Sequence, residues 1–330
     1  MAAPCWRSQR MENENTMNPP RPRIRRETRT TVLGRSLCLC VSVVSGFLAT
    51  NAHAEVSVRD DVGNTVKLAQ PARRIVSLAP HVTESLFAAG AGGRVVGTVE
   101  YSDYPEAAKK IPRVGGYSRL DLEAVAALKP DLVVGWQSGN AGAHIDKLKG
   151  LGYTIYVSQP NRIEDVASEI ERLGTLAGTG ATANAEAKRY RDKLATLRAQ
   201  YAGKATVRTF YQIWKQPLMT VGKNQIISDA IRLCGGENVF GQLEQMAPTV
   251  TVEAVIAANP ETIIASGMGD SRPEWLDDWK KWTSIEAVKR DNLFFVPPEL
   301  IQRHTPRLLE GTEILCRHLE TVRGRRVNRQ

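Results

Sequence analysis

A run of thirteen residues occurs twice in this chain, 130 positions apart. Leu122-Glu123-Ala124-Val125-Ala126-Ala127-Leu128-Lys129-Pro130-Asp131-Leu132-Val133-Val134 is matched without a gap by Val252-Glu253-Ala254-Val255-Ile256-Ala257-Ala258-Asn259-Pro260-Glu261-Thr262-Ile263-Ile264. Each copy reads as a short Ala-rich helix, broken by a proline and followed at once by a β-branched buried strand. Two copies are too few for a solenoid. Within 330 residues the period fits two similar lobes of about 100–130 residues, each able to bury its own core. Chance likeness between two helix–proline–strand units is the alternative, and the shared glutamate and shared acidic residue after proline argue against it.

The rest of the chain repeats the same alternation. Val56–Val58 and Thr65–Leu68, with Asp61-Val62-Gly63-Asn64 before the second, read as a hairpin. Arg74–Leu78, Val95–Val99, Leu132–Val134 and Tyr153–Val157 read as buried strands, with a helix beginning at Thr83 and Glu84 and stopping at Gly90. Short buried strands between helices imply an α/β protein whose sheets are mainly parallel and covered on both faces. From Ala181 to Tyr201 the residues are helix formers, with Tyr190, Leu194 and Leu197 at helical spacing and no Gly or Pro before Gly203. That segment reads as a stiff rod of about 30 Å rather than a flexible linker. The expected organisation is a leader at 1–54, an N-terminal lobe at 55–180, an interlobe helix at 181–203, a C-terminal lobe at 204–322 and a frayed basic tail at 323–330.

The formal charge of +9 is unevenly placed. Residues 1–54 hold eight Arg and three Glu, so only +4 belongs to the remainder. Nucleic-acid binders concentrate basic charge on a folded surface, and no such partner is expected here. Arg21 to Arg35 is basic, Ser36 to Leu48 is uncharged, and Ala52-His53-Ala54 supplies a small-x-small site. This order is that of a secretory signal cleaved before Glu55. A membrane anchor is the alternative, but the apolar stretch falls short of the roughly 20 residues a spanning helix needs. Beyond the leader two cysteines remain, Cys234 and Cys316. An even pair in an oxidising compartment favours one disulfide over two buried thiols.

Motifs for catalysis or cofactors are weak. Gly90-Ala91-Gly92-Gly93 ends a helix instead of opening one, and Gly222-Lys223 lacks the rest of a phosphate loop. His81, His144, His304 and His318 show no spacing of a triad or zinc site, so no catalytic residue, metal or cofactor is expected. Aromatic residues gather instead in loops beyond strands: Tyr101 and Tyr104, Tyr117 after Gly115-Gly116, and Trp136. In doubly wound sheets ligands sit beyond the carboxyl ends of strands, so these rings read as a wall for a large flat ligand, the alternative being caps on the core. Glu299 and Arg303 follow the strand Leu293–Val296 and read as contacts to a polar ligand rim, or as partners of one another on the surface. Glu123 and Glu253 begin the repeat's two helices. They read as stabilisers of the helix dipole, or as two equivalent acidic points offered to one pseudo-symmetric partner.

Four blocks carry a family resemblance: Arg74-Ile75-Val76-Ser77-Leu78-Ala79-Pro80-His81-Val82-Thr83-Glu84, Tyr101-Ser102-Asp103-Tyr104-Pro105, Leu128-Lys129-Pro130-Asp131-Leu132-Val133 and Cys234-Gly235-Gly236-Glu237-Asn238-Val239-Phe240. Through them nearly all of residues 56–322 resembles the periplasmic substrate-binding proteins that have a rigid helix between lobes. These proteins serve ABC importers of vitamin B12, haem and ferric siderophores, and the blocks are most similar to the cobalamin-binding branch. The resemblance implies two Rossmann-like lobes, each a mainly parallel sheet flanked by helices, joined by one long rigid helix. It implies a monomeric periplasmic receptor that captures cobalamin or a related corrinoid without catalysis and hands it to a permease dimer with its ATPase. Tyr101, Tyr117, Trp136 and Met219 would line the pocket, with Glu299 and Arg303 from the other lobe. Tyr117 stands where the family shows Trp, Met219 where it shows Phe, Ala247 where it shows another Trp, and Glu299 where it shows Asp. Glu123 and Glu253 match acidic residues that dock on permease arginines, and Cys234 and Cys316 match a disulfide of the second lobe. His81 lies in a cleft loop within reach of a ligand's metal. The rivals are a haem or ferric-siderophore receptor on the same scaffold and an exported hydrolase, which would need a nucleophile–base pair that no motif supplies.

Overall fold

The structure, a computed structural model, describes residues 55–116, 118–267, 269 and 271–327. The expected leader at 1–54 and Tyr117 lie outside the described residues. Strands β1 (Val56–Arg59) and β2 (Thr65–Leu68) form the expected antiparallel hairpin. Its turn is held by the Asp60 carboxylate, which accepts the N–H groups of Val62 and Asn64 at 3.1 and 2.7 Å. The N-terminal lobe continues with β3 (Ile75–Ser77), α1 (Pro80–Ala88), β4 (Val95–Gly97), α2 (Leu122–Ala127), β5 (Leu132–Trp136), α3 (Gly142–Gly150) and β6 (Ile155–Ser158). Its sheet runs β4-β3-β5-β6, all parallel. Helix α1 begins at Pro80, three residues before the expected start, because proline's fixed φ suits the first helical turn and needs no N–H partner there. Thr83 is buried inside the helix instead, its hydroxyl bonded to Ala79 O, Ser77 and Thr98.

Two long helices follow, α4 (Ile163–Ala177) and α5 (Gly180–Tyr201). The buried positions of α5 are Ala183, Ala187, Tyr190, Leu194, Leu197 and Tyr201, alternately four and three apart, which is one continuous stripe. At its start the two helices nearly touch, since a Cβ added to Gly174 would lie 2.1 Å from that of Ala183. The Tyr190 hydroxyl then donates to Ile163 O at 2.9 Å. The rod read from the sequence is therefore packed along a second helix.

The C-terminal lobe comprises β7 (Val207–Trp214), β8 (Met219–Thr220), α6 (Ile226–Leu233), β9 (Gly236–Asn238), α7 (Val252–Ala258), β10 (Thr262–Ala265), α8 (Glu286–Lys289), β11 (Leu293–Phe295), α9 (Pro298–Ile301) and α10 (Leu308–Val327). Strands β9, β7, β10 and β11 are parallel neighbours in that order, and β8 adds antiparallel to the end of β7. The order repeats that of β4, β3, β5 and β6. Cys234 and Cys316 form the disulfide that joins the end of α6 to α10 across 82 residues. Of the basic end expected to fray, the described part, residues 323–327, is helical. Arg323 donates to Ala205 O and Cys234 O, and Arg326 pairs with Glu261 and donates to Thr206 O, so the last helix stays docked to Val327.

The duplication extends beyond the sequence match. Residues 121–130 and 251–260 have the same order of exposed, half-buried and buried positions. Asp131 accepts the Arg74 N–H and returns its own N–H to Arg74 O; Glu261 does the same with Arg208. The Arg74 side chain then caps Leu128 O, and that of Arg208 caps Ala258 O and Asn259 O. Each helix's orphan C-terminal carbonyls are thus satisfied by the arginine that opens the neighbouring strand.

One buried acid has no counterpart in the sequence reading. Glu169 of α4 is fully buried, with Ser85 donating to Oε2 at 3.4 Å. Burial, reinforced by the charge of Asp61, pushes its pKa from 4.5 up to about 8. The folded protein therefore holds a proton that the unfolded chain releases between those values, and stability falls as pH rises through the window by up to about 1.4 kcal/mol per unit. Glu169→Gln keeps the neutral shape. Melting curves should show it matching the parent near pH 5 and exceeding it at pH 8.5; parallel profiles would contradict the protonated state.

Candidate ligand-binding cleft

The carboxyl ends of the parallel strands in both lobes carry the residues that meet between them. His81 follows β3, Trp136 ends β5, and Ser158 and Gln159 end β6. From the other lobe come Met246, and His304 beyond β11 and α9. The His81 ring lies edge-on to Trp136 at 5.0 Å and 5.5 Å from the His304 ring. Gln159 Nε2 donates to Met246 Sδ at 3.7 Å. His81 also bonds Ser158 Oγ at 3.3 Å, while Nδ1 of His304 is buried without a hydrogen-bond partner. Burial pushes the His304 pKa down to about 4. It pushes His81 well below its ordinary value too, helped by the neighbouring His304 and Arg303. Both imidazoles are neutral at pH 7, so this contact between the lobes is aromatic and uncharged.

A charged bridge also joins the lobes. Glu84 of α1 has only 2% of its side chain exposed. It accepts Arg303 at 2.8 Å and Arg307 at 2.8 and 3.0 Å, both from the segment that follows α9. Arg303 also donates to Asp103 at 2.6 Å and to Tyr101 O at 3.2 Å. The Arg307 guanidinium lies 3.9 Å from the centre of the Tyr104 ring. A cavity of about 460 Å3 lies between this network and α5, lined by Phe87, Tyr104, Tyr190 and Leu309 among others.

The structure brings together some of the residues read from the sequence. Trp136 faces the gap between lobes through His81. Arg303 reaches across it, and its partners are Glu84 and Asp103, not Glu299 on the surface. The Tyr101 backbone meets Arg303 through its carbonyl, and the residue, with φ of +63°, is 67% exposed. Met219 lies in β8 opposite Trp214 and bridges to Thr249. Glu299 is half-buried in the first turn of α9, its Oε2 without a hydrogen-bond partner. Tyr117 lies outside the described residues. Sequence reasoning missed Glu84, Asp103, His304 and Arg307. Glu84 read as a helix-start residue, and the only available signal for Arg307 was its position four residues after Arg303.

At the repeat, Asp121 caps α2 by accepting the N–H groups of Glu123 and Ala124, and Thr251 caps α7 by accepting that of Ala254. Glu123 and Glu253 are left as exposed carboxylates in equivalent first turns. They make no ion pair among the described residues.

This arrangement has close relatives. Residues 75–300 match the family model described as periplasmic binding protein. A vitamin B12-binding protein of Vibrio cholerae is 36% identical over 251 residues, covering 76% of this chain and 90% of that one. The vitamin B12-binding protein of Yersinia pestis is 34% identical over 254 residues, covering 77% and 89%. Among solved structures, the periplasmic vitamin B12-binding protein BtuF of Vibrio cholerae superposes with a TM-score of 0.71 at 35% identity, covering 77% of this chain and 98% of its own. The haem-binding protein RhuT of Roseiflexus shares the fold, with a TM-score of 0.67 at 21% identity over 76% of this chain and 98% of its own. With two lobes, a helical connection and a sequence match across both, the chain belongs to the periplasmic binding protein family.

Proposed function

We propose that this protein is a periplasmic receptor for cobalamin or a related corrinoid, which it delivers to an ABC importer without chemical change to the ligand. The observation that carries the reading is the neutral Trp136–His81–His304 cluster where the lobes meet, on a chain 36% identical to a vitamin B12-binding protein over 76% of its length. A corrinoid presents broad apolar faces and a rim of amide groups. Burial of an aromatic ring supplies area for the faces, and a guanidinium fork supplies donors for the rim. In this reading Trp136 takes the face and Arg303 the rim, and Tyr101, Tyr117, Met219 and Glu299 are the further contacts that the family resemblance assigns.

The second reading is haem or an iron chelate on the same scaffold. It is favoured by the two neutral imidazoles, which are the form that binds metal, and by the orphaned Nδ1 of His304. A visible titration separates the two. Cobalamin should perturb its own spectrum and saturate at one equivalent, haemin should give no shifted Soret band, and Trp136→Ala should weaken cobalamin binding about tenfold or more. A Soret shift with haemin and no response to cobalamin would reverse the assignment.

Delivery would use the duplicated carboxylates. Glu123 and Glu253 sit on equivalent first turns, exposed and free of internal ion pairs among the described residues, and so suit a permease with two equivalent basic pockets. The double variant E123Q/E253Q should bind cobalamin as the parent does and fail to support uptake in a strain dependent on it. Uptake at the parental rate would remove these residues from the docking role.

A further inference from the structure

Arg303 has two acidic partners of different character. Glu84 has 2% of its side chain exposed and is held by Arg307 as well. Asp103 has 52% of its side chain exposed, stands on the loop after β4, and lies 2.6 Å from Arg303 Nη1. The same loop also presents the carbonyl of Tyr101 to Nη2 at 3.2 Å. It does so through a left-handed backbone at Tyr101, which a side-chain-bearing residue adopts only when its surroundings hold it there. The consequence is an outward-facing tyrosine ring where the sequence suggested a ligand wall.

Resting on the corrinoid reading above, we infer that the Tyr101–Asp103 loop is an internal competitor for the ligand site of Arg303. In the resting protein Asp103 and the Tyr101 carbonyl occupy the donor edge that a ligand's rim would use. Ligand acceptors replace these two, while Glu84 and Arg307 keep the lobes joined. Release of its carbonyl lets Tyr101 leave the left-handed region and turn its ring toward the ligand. Asp103 thereby sets both affinity and selectivity: a ligand without acceptors at the rim leaves Arg303 engaged with the loop. The exchange is cheap because the Asp103 pair is half in water, where such a bond contributes little, whereas the buried Glu84 cannot be left unpaired.

The test is cobalamin titration of the full folded domain with Asp103→Asn, Asp103→Ser, Arg303→Gln and the combination of Asp103→Asn with Arg303→Gln. Removing the competitor should tighten cobalamin binding about three- to fivefold in either Asp103 variant, the range expected for a partly exposed charged pair. Arg303→Gln should weaken binding, and in that background Asp103→Asn should bring no gain, since the two residues act through one contact. Asp103 variants that bind no tighter than the parent overturn the inference, and so does a gain that persists without Arg303. A parent protein that binds no cobalamin at all sinks the functional reading and this inference with it, an outcome distinct from the other two.

Discussion

The carboxylate of Glu84, with 2% of its side chain exposed, is a charge buried in the junction between the lobes. Taking an ion out of water costs several kcal/mol even after relaxation, so a buried carboxylate persists only where donors converge on it. Here three N–H groups converge, and all come from Arg303 and Arg307 on the opposite lobe. Glu84 and the α9–α10 segment are thus obliged to stay together, which sets how far apart the strand ends of the two sheets can stand. The contact of His81 with His304 joins the same two lobes, and its neutrality follows from the burial of both rings. Protonating either ring would place an imidazolium beside another imidazole and near Arg303.

The duplicated lobes solve one mechanical problem twice. A helix must sit at a fixed angle to its sheet if the glutamate in its first turn is to point in a defined direction. In both lobes the acid after the proline exchanges backbone bonds with an arginine at the start of the adjacent strand, and that arginine returns to cap the helix. The loop residues that close each helix, Lys129 and Asn259, both adopt left-handed φ, near +44° and +45°. Same clamp, same turn and same burial order leave Glu123 and Glu253 in equivalent settings. The acidic residue after proline, noticed in the sequence only as evidence of duplication, is the part that holds this geometry.

What could be read from the sequence was local. The strands, the hairpin and the α5 stripe each depend on patterns within about twenty residues, the repeat on comparing two such patterns 130 positions apart, and each stands in the structure. What could not be read was long-range. Arg303 and Arg307 meet Glu84 across 219 and 223 positions, and Asp103 meets Arg303 across 200. Nothing in the local pattern distinguishes Glu84 from an ordinary helix-start acid. The basic end misled for a related reason: Arg323 and Arg326 look like a solvated tail until the carbonyls of Cys234, Ala205 and Thr206 are placed beside them. Tyr101, read from the sequence as a ring in a wall, is an exposed residue with a positive φ, a backbone state that no local sequence pattern announces.

The same parts bear on how such a cleft can respond to a ligand. A hinge-bending receptor stores its opening in a flexible crossing, but here the crossing is a helix whose apolar stripe runs from Ala183 to Tyr201 against the lobes. Bending it would expose that stripe and pull Glu84 from its donors at once. The width of the cleft is therefore set before a ligand arrives, which limits the ordering cost of binding but also removes large closure as a source of selectivity. Selectivity then has to come from pieces that can move without disturbing the frame. Among the cleft residues described, those with exposed side chains on a loop are Tyr101, Asp103 and Tyr104. Tyr104 is pinned beneath Arg307, itself fixed by Glu84, so the movable part narrows to Tyr101 and Asp103, both resting on Arg303. A rigid frame with one exchangeable contact discriminates ligands by what they offer to that contact.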